Sequence, residues 1–307
     1  MLKVENIVKE FVNHRALNDV SFEVPEKSIF GLLGPNGAGK TTMIRIINQI
    51  TGPDTGRVFF DGHPLNPRDI AEIGYLPEER GLYKKMKVGE QALYLARLRG
   101  LSKQEALTRL KYWFDKFDIG PWWHKKVEEL SKGMAQKVQF IITVLHEPKL
   151  LILDEPFSGF DPINANLIKK EILELRDKGA TIILSTHNMG SVEEICDHIA
   201  LINNSRKVLG GEVQQVRDKF KENVFELQFT GNMIGFTNDL WTDFELVSNV
   251  SHGEDIHCRI KILNNRTLND LLKIAVQHVE VKEVREVIPS MNDIFIKVVN
   301  EKMTDHE

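Results

Sequence analysis

Residues 31–46 read GLLGPNGAGKTTMIRI, and this stretch decides the fold of the chain. The apolar run SIFGLL (28–33) leads into it, as expected of a parallel strand buried on both faces. Met43, Ile44 and Ile47 follow the glycines at helical spacing. The pattern therefore predicts a strand, a glycine-rich loop and a helix in direct succession.

The predicted loop matches the phosphate-binding pattern G-x-x-x-x-G-K-[ST]. Glycines let successive backbone N–H groups turn toward one centre, and the following helix points its N-terminus there, so an anion is stabilised. Lys40 can reach the outer phosphates of a nucleotide, and the Thr41 hydroxyl can bind Mg²⁺. A chance Lys-Thr turn is the alternative, but the correct flanks argue against it. We predict that the phosphates are bound by Gly34, Asn36, Gly37, Ala38, Gly39, Lys40, Thr41 and Thr42.

A second apolar run, KLLILDEP (149–156), ends in two neighbouring carboxylates. Asp154 at the strand end can hold the water shell of Mg²⁺, whereas Glu155 can orient and deprotonate a water against the γ-phosphate. An ordinary acidic turn after a strand is the alternative. Because a phosphate loop precedes this run, we favour the catalytic interpretation.

The segment LSKGMAQKVQFIITVL (130–145) predicts a helix with a polar start. Ser131 is a suitable N-cap, and Gly133 leaves the first turn free of one side chain. A hydroxyl, bare backbone N–H groups and a positive helix end form a second anion site. Taken alone, the segment is better explained as an ordinary capped helix.

The order of these motifs resembles that of the ABC (ATP-binding cassette) ATPases. The phosphate loop is followed by LSKGM, LILDEP, SGFD and STH, and the resemblance covers residues 2 to about 220. It implies an α/β P-loop cassette with a RecA-like core, an antiparallel β subdomain and a helical insert at about 88–145. It also implies that two cassettes pair head to tail. Each ATP then lies between the phosphate loop of one chain and the LSKGM segment of the other, through Ser131 and Gly133.

The resemblance gives roles to three further residues. Phe11 lies where the family usually has an aromatic residue that stacks on adenine, although a core aromatic is an alternative. Asp161 of SGFD resembles the aspartate that links the two sites of a dimer. His187 of STHN resembles the switch histidine that contacts the γ-phosphate.

The chain departs from the family pattern at two positions. Glu78 of GYLPEERGLY replaces the usual glutamine, and a carboxylate can bind Mg²⁺ at least as well as an amide oxygen. Its extra negative charge changes the expected metal dependence or ATP affinity. Alternatively, Glu78 faces solvent and water completes the metal shell. Met134 replaces the usual glutamine at the end of LSKGM, which is expected to weaken one polar contact while Ser131 and Gly133 retain the main ones.

Residues 222–307 predict a small α+β accessory domain after the cassette of residues 1–221. They contain 8 basic and 15 acidic residues, a balance of −7 within a total charge of −4. VFELQF and HCRIKIL alternate as half-exposed strands, and helices starting near Leu268 and Met291 are expected to cover one sheet face. The domain resembles the one that follows the cassette in bacterial exporter ATPases of the sodium-extrusion and drug-resistance type.

Composition and resemblance together predict location and partners. We find neither a signal peptide nor a stretch of about 20 uncharged apolar residues, and Cys196 and Cys258 lack metal spacing. We therefore expect a cytoplasmic exporter ATPase, peripheral on the inner face of the membrane, that pairs with a second cassette and with separate permease chains. The charge distribution predicts no nucleic-acid-binding face. A non-transport ABC ATPase acting on ribosomes or DNA, and a regulatory module that binds ATP without turnover, are the alternatives.

Overall fold

The structure, a computed structural model, describes residues 1–79 and 81–304. The chain folds into two compact units, one formed by Met1–Val213 with the segment from Val298 onward, the other by Gln214–Lys297. The acidic balance of residues 222–307 suggested a domain boundary near residue 221. The boundary between the two structural units falls earlier in the chain. Arg217 belongs to the second unit, where its Nε donates to the carbonyl oxygen of Pro289 at 3.1 Å. Residues 305–307, the predicted end of the second domain, lie outside the described residues.

The first unit contains two sheets. The strands of the antiparallel sheet are β1 (Leu2–Phe11), β2 (His14–Val24), β4 (Thr55–Phe60) and β5 (His63–Pro64), in the order β2-β1-β4-β5. The strands of the larger sheet are β3 (Ile29–Leu33), β6 (Ile73–Leu76), β7 (Leu150–Asp154), β8 (Thr181–Thr186), β9 (His198–Asn203) and β10 (Arg206–Glu212), in the order β10-β9-β3-β8-β7-β6. All pairs in the larger sheet are parallel except β9 with β10.

The central strands of the larger sheet bring the predicted site residues to one edge. Every residue of β3, β7 and β8 is buried, which confirms that their apolar runs are internal parallel strands. Leu33 pairs with Thr186, and Asp154 pairs with Ser185, so the carboxyl ends of these strands are level. The loops that follow the three strands therefore meet at this edge.

The helices of the first unit are α1 (Lys40–Ile47), α2 (Val88–Leu98), α3 (Lys103–Lys116), α4 (Lys132–Val144), α5 (Pro162–Asp177) and α6 (Met189–Ile195), and α7 (Val213–Lys219) follows them. Helices α2, α3 and α4 lie within the helical insert expected at about 88–145. α3 begins with a capping box in which Ser102 and Glu105 bond reciprocally. Leu110 is fully buried in this insert, whereas Leu107 on the same helix is 37% exposed.

The second unit contains β11 (Val224–Gly231), α8 (Met233–Asn238), β12 (Phe244–His252), β13 (Asp255–Ile262), α9 (Leu268–His278) and β14 (Val279–Glu286), and helix α10 (Met291–Thr304) ends the described chain. The antiparallel sheet has the order β12-β13-β11-β14, which is the ferredoxin-like βαββαβ arrangement. The predicted α+β class of this domain is confirmed.

One face of that sheet is covered by α8 and α9. The rings of Phe229 on β11 and Phe236 on α8 pack edge to face, 5.4 Å apart, and Leu271 and Ala275 of α9 join the same core. The expectation that α10 supplies the second covering helix is wrong, because α8 takes that place. Across residues 1–79 and 81–304, no helix is long and apolar enough to span a membrane.

Candidate functional site

The loop between β3 and α1 adopts a conformation that only glycine accommodates. Gly34, Gly37 and Gly39 have φ angles of 149°, 80° and 113°. A Cβ atom would lie 2.2 Å from the carbonyl oxygen of Ile202 at position 34, and 2.4 Å from that of Ala16 at position 39. Backbone N–H groups in such a turn converge on one concave point. The loop therefore has the geometry of an anion cradle at the start of α1.

Lys40, the first residue of α1, is folded over this loop. Its side chain is 7% exposed, and its Nζ donates to the carbonyl oxygens of Gly34 at 2.7 Å and Pro35 at 3.1 Å. Burial lowers the pKa of Lys40, and the carboxylates of Glu155 and Asp154 oppose this effect. An ammonium group has three N–H donors. The third donor of Lys40 can be directed at a phosphate oxygen.

A cavity of about 340 Å³ lies over the loop. Its volume falls within the usual range for small-molecule sites. It is lined by Phe11, His14, Ala16, Asn36, Gly37, Gly39, Lys40, Thr41, Thr42, Glu78, Asp154 and Glu155. Most of the predicted phosphate-binding and catalytic residues thus line a single cavity. We call it the phosphate-loop cavity.

Phe11 borders this cavity at the end of β1, and it is 49% exposed. The alternative that it is a core aromatic does not match this placement. The Lys9 Nζ lies 5.5 Å from the centroid of this partly exposed ring, and an aromatic ring at the cavity rim can stack on a planar base. His14, which the sequence analysis did not identify, lies across the same β1–β2 turn and pairs with Phe11 in the sheet.

Acidic side chains surround the cavity floor. Asp154 is 3% exposed, and burial raises its pKa, with Glu78 and Glu155 adding to the increase. Oxygen ligands of this kind suit Mg²⁺, and the Thr41 hydroxyl lines the same cavity. Among the described residues, no group of three or more His, Cys, Asp and Glu side chains is placed to hold a metal ion. The carboxylates of Glu78 and Asp154 and the hydroxyl of Thr41, all in one cavity lining, suit an ion that also takes phosphate and water ligands, which is the usual mode of Mg²⁺.

Glu155 is held in a constrained position directly after β7. Its φ angle is 47°, and its backbone N–H donates to the carbonyl of Ser185 at 2.9 Å. Its Oε1 accepts the backbone N–H of His187 at 3.0 Å and lies 2.6 Å from the His187 Nδ1. Its Oε2 accepts the hydroxyl of Thr186 at 3.2 Å. The structure thus brings the two predicted catalytic residues into direct contact.

Thr186 was not identified from the sequence. Its Oγ1 also accepts the backbone N–H of Asn188 at 3.1 Å, so it links the loop after β8 to the Glu155 carboxylate. Its position directly before His187 in STHN is the signal that could have indicated this role.

Three predicted site residues lie outside the phosphate loop, at or near the starts of helices α4 and α5: Ser131, Gly133 and Asp161. Ser131 caps α4 and accepts the backbone N–H of Met134 at 3.3 Å, and Asp161 caps α5 and accepts that of Asn164 at 3.0 Å. Neither residue, nor Gly133, is among the described residues that line the phosphate-loop cavity. These three residues therefore lie outside the lining of that cavity.

A second cavity, of about 270 Å³, adjoins the first. It is lined by Leu76, Pro77, Glu78, Glu79, Lys132, Gln136, Gln139, Asp154 and Ser158. Glu78 and Asp154 belong to both cavities. We call the second one the Glu78 cavity.

Known protein families match both parts of the chain. Residues 17–158 match the family described as "ABC transporter", and residues 211–299 match "ATP-binding protein DrrA1-3-like, C-terminal domain". The chain is 46% identical over 225 residues to the ABC transporter ATP-binding protein YhaQ of Bacillus subtilis, a match that covers 73% of this chain and 76% of YhaQ.

Two further similarities extend over the cassette. The chain is 31% identical over 222 residues to the lipopolysaccharide export system ATP-binding protein LptB of Haemophilus influenzae, covering 70% of this chain and 92% of LptB. A solved structure of an ATP-binding subunit of an ABC transporter superposes with a TM-score of 0.67 at 32% identity, covering 72% of this chain and 93% of the other. The predicted cassette fold is confirmed. The chain belongs to the ABC transporter family and is the subunit of such a transporter that binds and hydrolyses ATP.

Proposed function

We propose that this chain powers a bacterial exporter by closing around ATP with a second cassette and reopening after hydrolysis. The observation that supports this is the division of its polar groups between two surfaces. The phosphate loop, Asp154 and Glu155 line one cavity, whereas Ser131 and Gly133 lie outside it. Two chains arranged head to tail use both surfaces, since each ATP is then held by the loop of one chain and the LSKGM segment of the other.

The chain's own residues supply binding and proton chemistry. The glycine loop and Lys40 bind the phosphates, and Phe11 stacks on the base. Thr41, Asp154 and Glu78 hold Mg²⁺, which neutralises charge on the phosphate oxygens when bound.

Hydrolysis needs a base next to the γ-phosphate. Glu155 accepts the proton of the attacking water, and Thr186 and the backbone N–H of His187 fix the direction of its carboxylate. The ring of His187 is 63% exposed, so it is free to turn from Glu155 toward the γ-phosphate.

We also propose that the transporter is an exporter and that the chain is attached to the membrane. The family relatives are named as transporter subunits, and LptB is named as part of an export system. The C-terminal match to a DrrA1-3-like domain agrees with the exporter type expected from the sequence. We propose that separate permease chains hold the ATPase at the inner membrane face, and that dimer closure is transmitted to them. Asp161 links the two ATP sites of that dimer.

Purification from membranes tests the partnership. The full chain with Glu155→Gln is expected to co-purify, with ATP, as a dimer bound to a multi-helix membrane protein that mass spectrometry identifies. A purification without ATP is the control. The two cassettes should then separate from each other, while each cassette stays bound to the membrane protein. Recovery with ribosomes or DNA, and with no membrane protein, would contradict the transport function.

A further inference from the structure

The start of helix α4 packs against residues 156–160, which we call the β7–α5 loop. The side-chain stem of Lys132 lies on Gly159, where a Cβ atom would be 2.6 Å from the Lys132 Cε. The backbone of Gly133 faces the ring of Phe160, since a Cβ atom on Gly133 would be 3.5 Å from the Phe160 Cδ1. The LSKGM segment therefore contacts the far end of the loop.

The near end of the same loop is bonded to α4 through Gln136. The Gln136 Nε2 donates to the carbonyl oxygen of Pro156 at 2.9 Å, and Pro156 is buried. Among the described residues, none bonds to the Gln136 Oε1, which is also buried. The bond to Pro156 is therefore the interaction that orients the amide. Because a carbonyl oxygen only accepts, the amide must present its nitrogen to it.

This bond is one peptide unit away from the proposed base, because Pro156 directly follows Glu155. The φ angle of 47° at Glu155 is a conformation that surrounding contacts must hold. The backbone N–H of Glu155 donates to the carbonyl of Ser185 at 2.9 Å, and its carbonyl accepts the N–H of Ser158 at 3.1 Å. Proline has a fixed φ, so an anchor on its carbonyl also restricts the residue before it. Gln136 thus adds a bond from the helical insert to those that hold the turn.

We propose that Gln136 is a positioning residue for hydrolysis, which holds Glu155 in the orientation that a base requires. The proposal rests on the catalytic role given to Glu155 above. Gln136 lies on the helix that Ser131 caps, so it connects the LSKGM segment to the base of its own chain. In the proposed dimer, the position of the base at one ATP is therefore tied to the helix that contacts the other ATP.

Loss of this donor should slow hydrolysis without weakening ATP binding. Gln136→Met has nearly the same length but no N–H group, so the Pro156 carbonyl loses its partner. We expect kcat to fall by at least about fivefold, a part of the roughly 10²-fold that a displacement of about 1 Å can cost. ATP affinity should stay unchanged, since Gln136 is not among the described residues that line the phosphate-loop cavity.

The Glu155→Gln background shows whether the effect passes through the base. Hydrolysis rate and ATP affinity are measured for the full-length chain with Gln136→Met, with Glu155→Gln and with both changes. When the base is already absent, Gln136→Met should leave the residual rate unchanged. Gln104→Met, the same replacement on the exposed surface of α3, is the matched control. Equal slowing in both backgrounds, or weaker ATP binding with an unchanged kcat, would overturn the proposal.

Thermal unfolding of each variant shows whether the fold is retained. Should Gln136→Met unfold at a lower temperature, Gln136→Glu is measured in its place, because an ionised carboxylate of the same length also cannot donate. If Glu155→Gln alone keeps near-normal turnover, Glu155 is not the base and both ideas fail. If Glu155→Gln is slow while Gln136→Met matches the unmodified chain, the base stands and the positioning role is rejected.

Discussion

The Nδ1 atom of His187 lies 2.6 Å from the Oε1 atom of Glu155, and the backbone N–H of His187 donates to the same oxygen. The proposed base and the proposed phosphate sensor are therefore in direct contact through Nδ1. Imidazole has a second ring nitrogen, Nε2, which can bind a phosphate oxygen while Nδ1 keeps this contact. A γ-phosphate bound by Nε2 would thus be linked to the proposed base through a single ring.

Glu155→Gln should retain ATP binding and slow hydrolysis by at least about 10²-fold, the usual scale for losing a general base. The amide keeps the size of the side chain but cannot accept a proton from water. Phosphate release and nucleotide affinity are measured together, with the exposed Glu23→Gln as a matched control. Near-normal turnover would remove Glu155 from the role of base.

Lys40→Ala should weaken ATP binding by at least about tenfold, because a charge-assisted hydrogen bond to phosphate contributes roughly 1.5–3 kcal/mol. The two loop carbonyls that Lys40 now satisfies also lose their donor. Calorimetry with ATP checks the affinity, and Lys111→Ala on the exposed face of α3 is the control. An unchanged affinity in a folded protein would argue against the phosphate cradle.

Asp154→Asn should stabilise the nucleotide-free protein near neutral pH while abolishing Mg²⁺-dependent hydrolysis. Burial and the neighbouring carboxylates Glu78 and Glu155 raise the pKa of Asp154 above 3.8, so the folded state binds the proton more tightly than the unfolded state. Stability contributed by that proton is present below pH 3.8 and is lost as the pH rises through the raised pKa.

Thermal unfolding from pH 4 to pH 8 measures this difference. The gap between Asp154→Asn and the unmodified chain should widen as the pH rises and then level off. A gap that narrows with rising pH would mean that the charged form of Asp154 stabilises the metal-free fold.

A chain that ends after Lys221 should still bind ATP, because the residues that line both cavities precede that point. Dimer lifetime, basal ATPase rate or coupling to the permease should change instead. Light scattering in the Glu155→Gln background and calorimetry measure these properties. Because the first unit also includes the segment from Val298 onward, deletion of residues 298–307 alone is the necessary control. Loss of ATP affinity from a folded truncated chain, but not from that control, would mean that the second unit helps to build the site.

The sequence predicted those parts of the site that depend on local pattern. The glycine spacing from Gly34 to Gly39 and the apolar runs before Asp154 and His187 indicate loops at the ends of buried strands. Parallel strands place such loops at one edge, so their meeting could be expected. The fold followed from the same runs, since every residue of the three strands is buried.

The remaining features depend on contacts between distant segments or on weak local signals. Lys132 packs on Gly159, and nothing in either segment alone indicates that contact. Helix α8 has six residues and buries a single aromatic ring, Phe236, so it shows no measurable helical periodicity. Helix α10 has a clear apolar stripe, and periodicity shows that a face is buried without showing which surface covers it.

The left-handed backbone of Glu155 has a consequence for stability. A residue other than glycine, asparagine or aspartate at a φ of 47° costs on the order of 1–3 kcal/mol of folding stability. Replacements by those three residues would relax the backbone, but each would also remove the glutamate side chain that accepts hydrogen bonds from Thr186 and His187 and that we propose as the base. A chain that keeps glutamate here therefore carries a stability cost, which is expected where turnover depends on the position of that carboxylate.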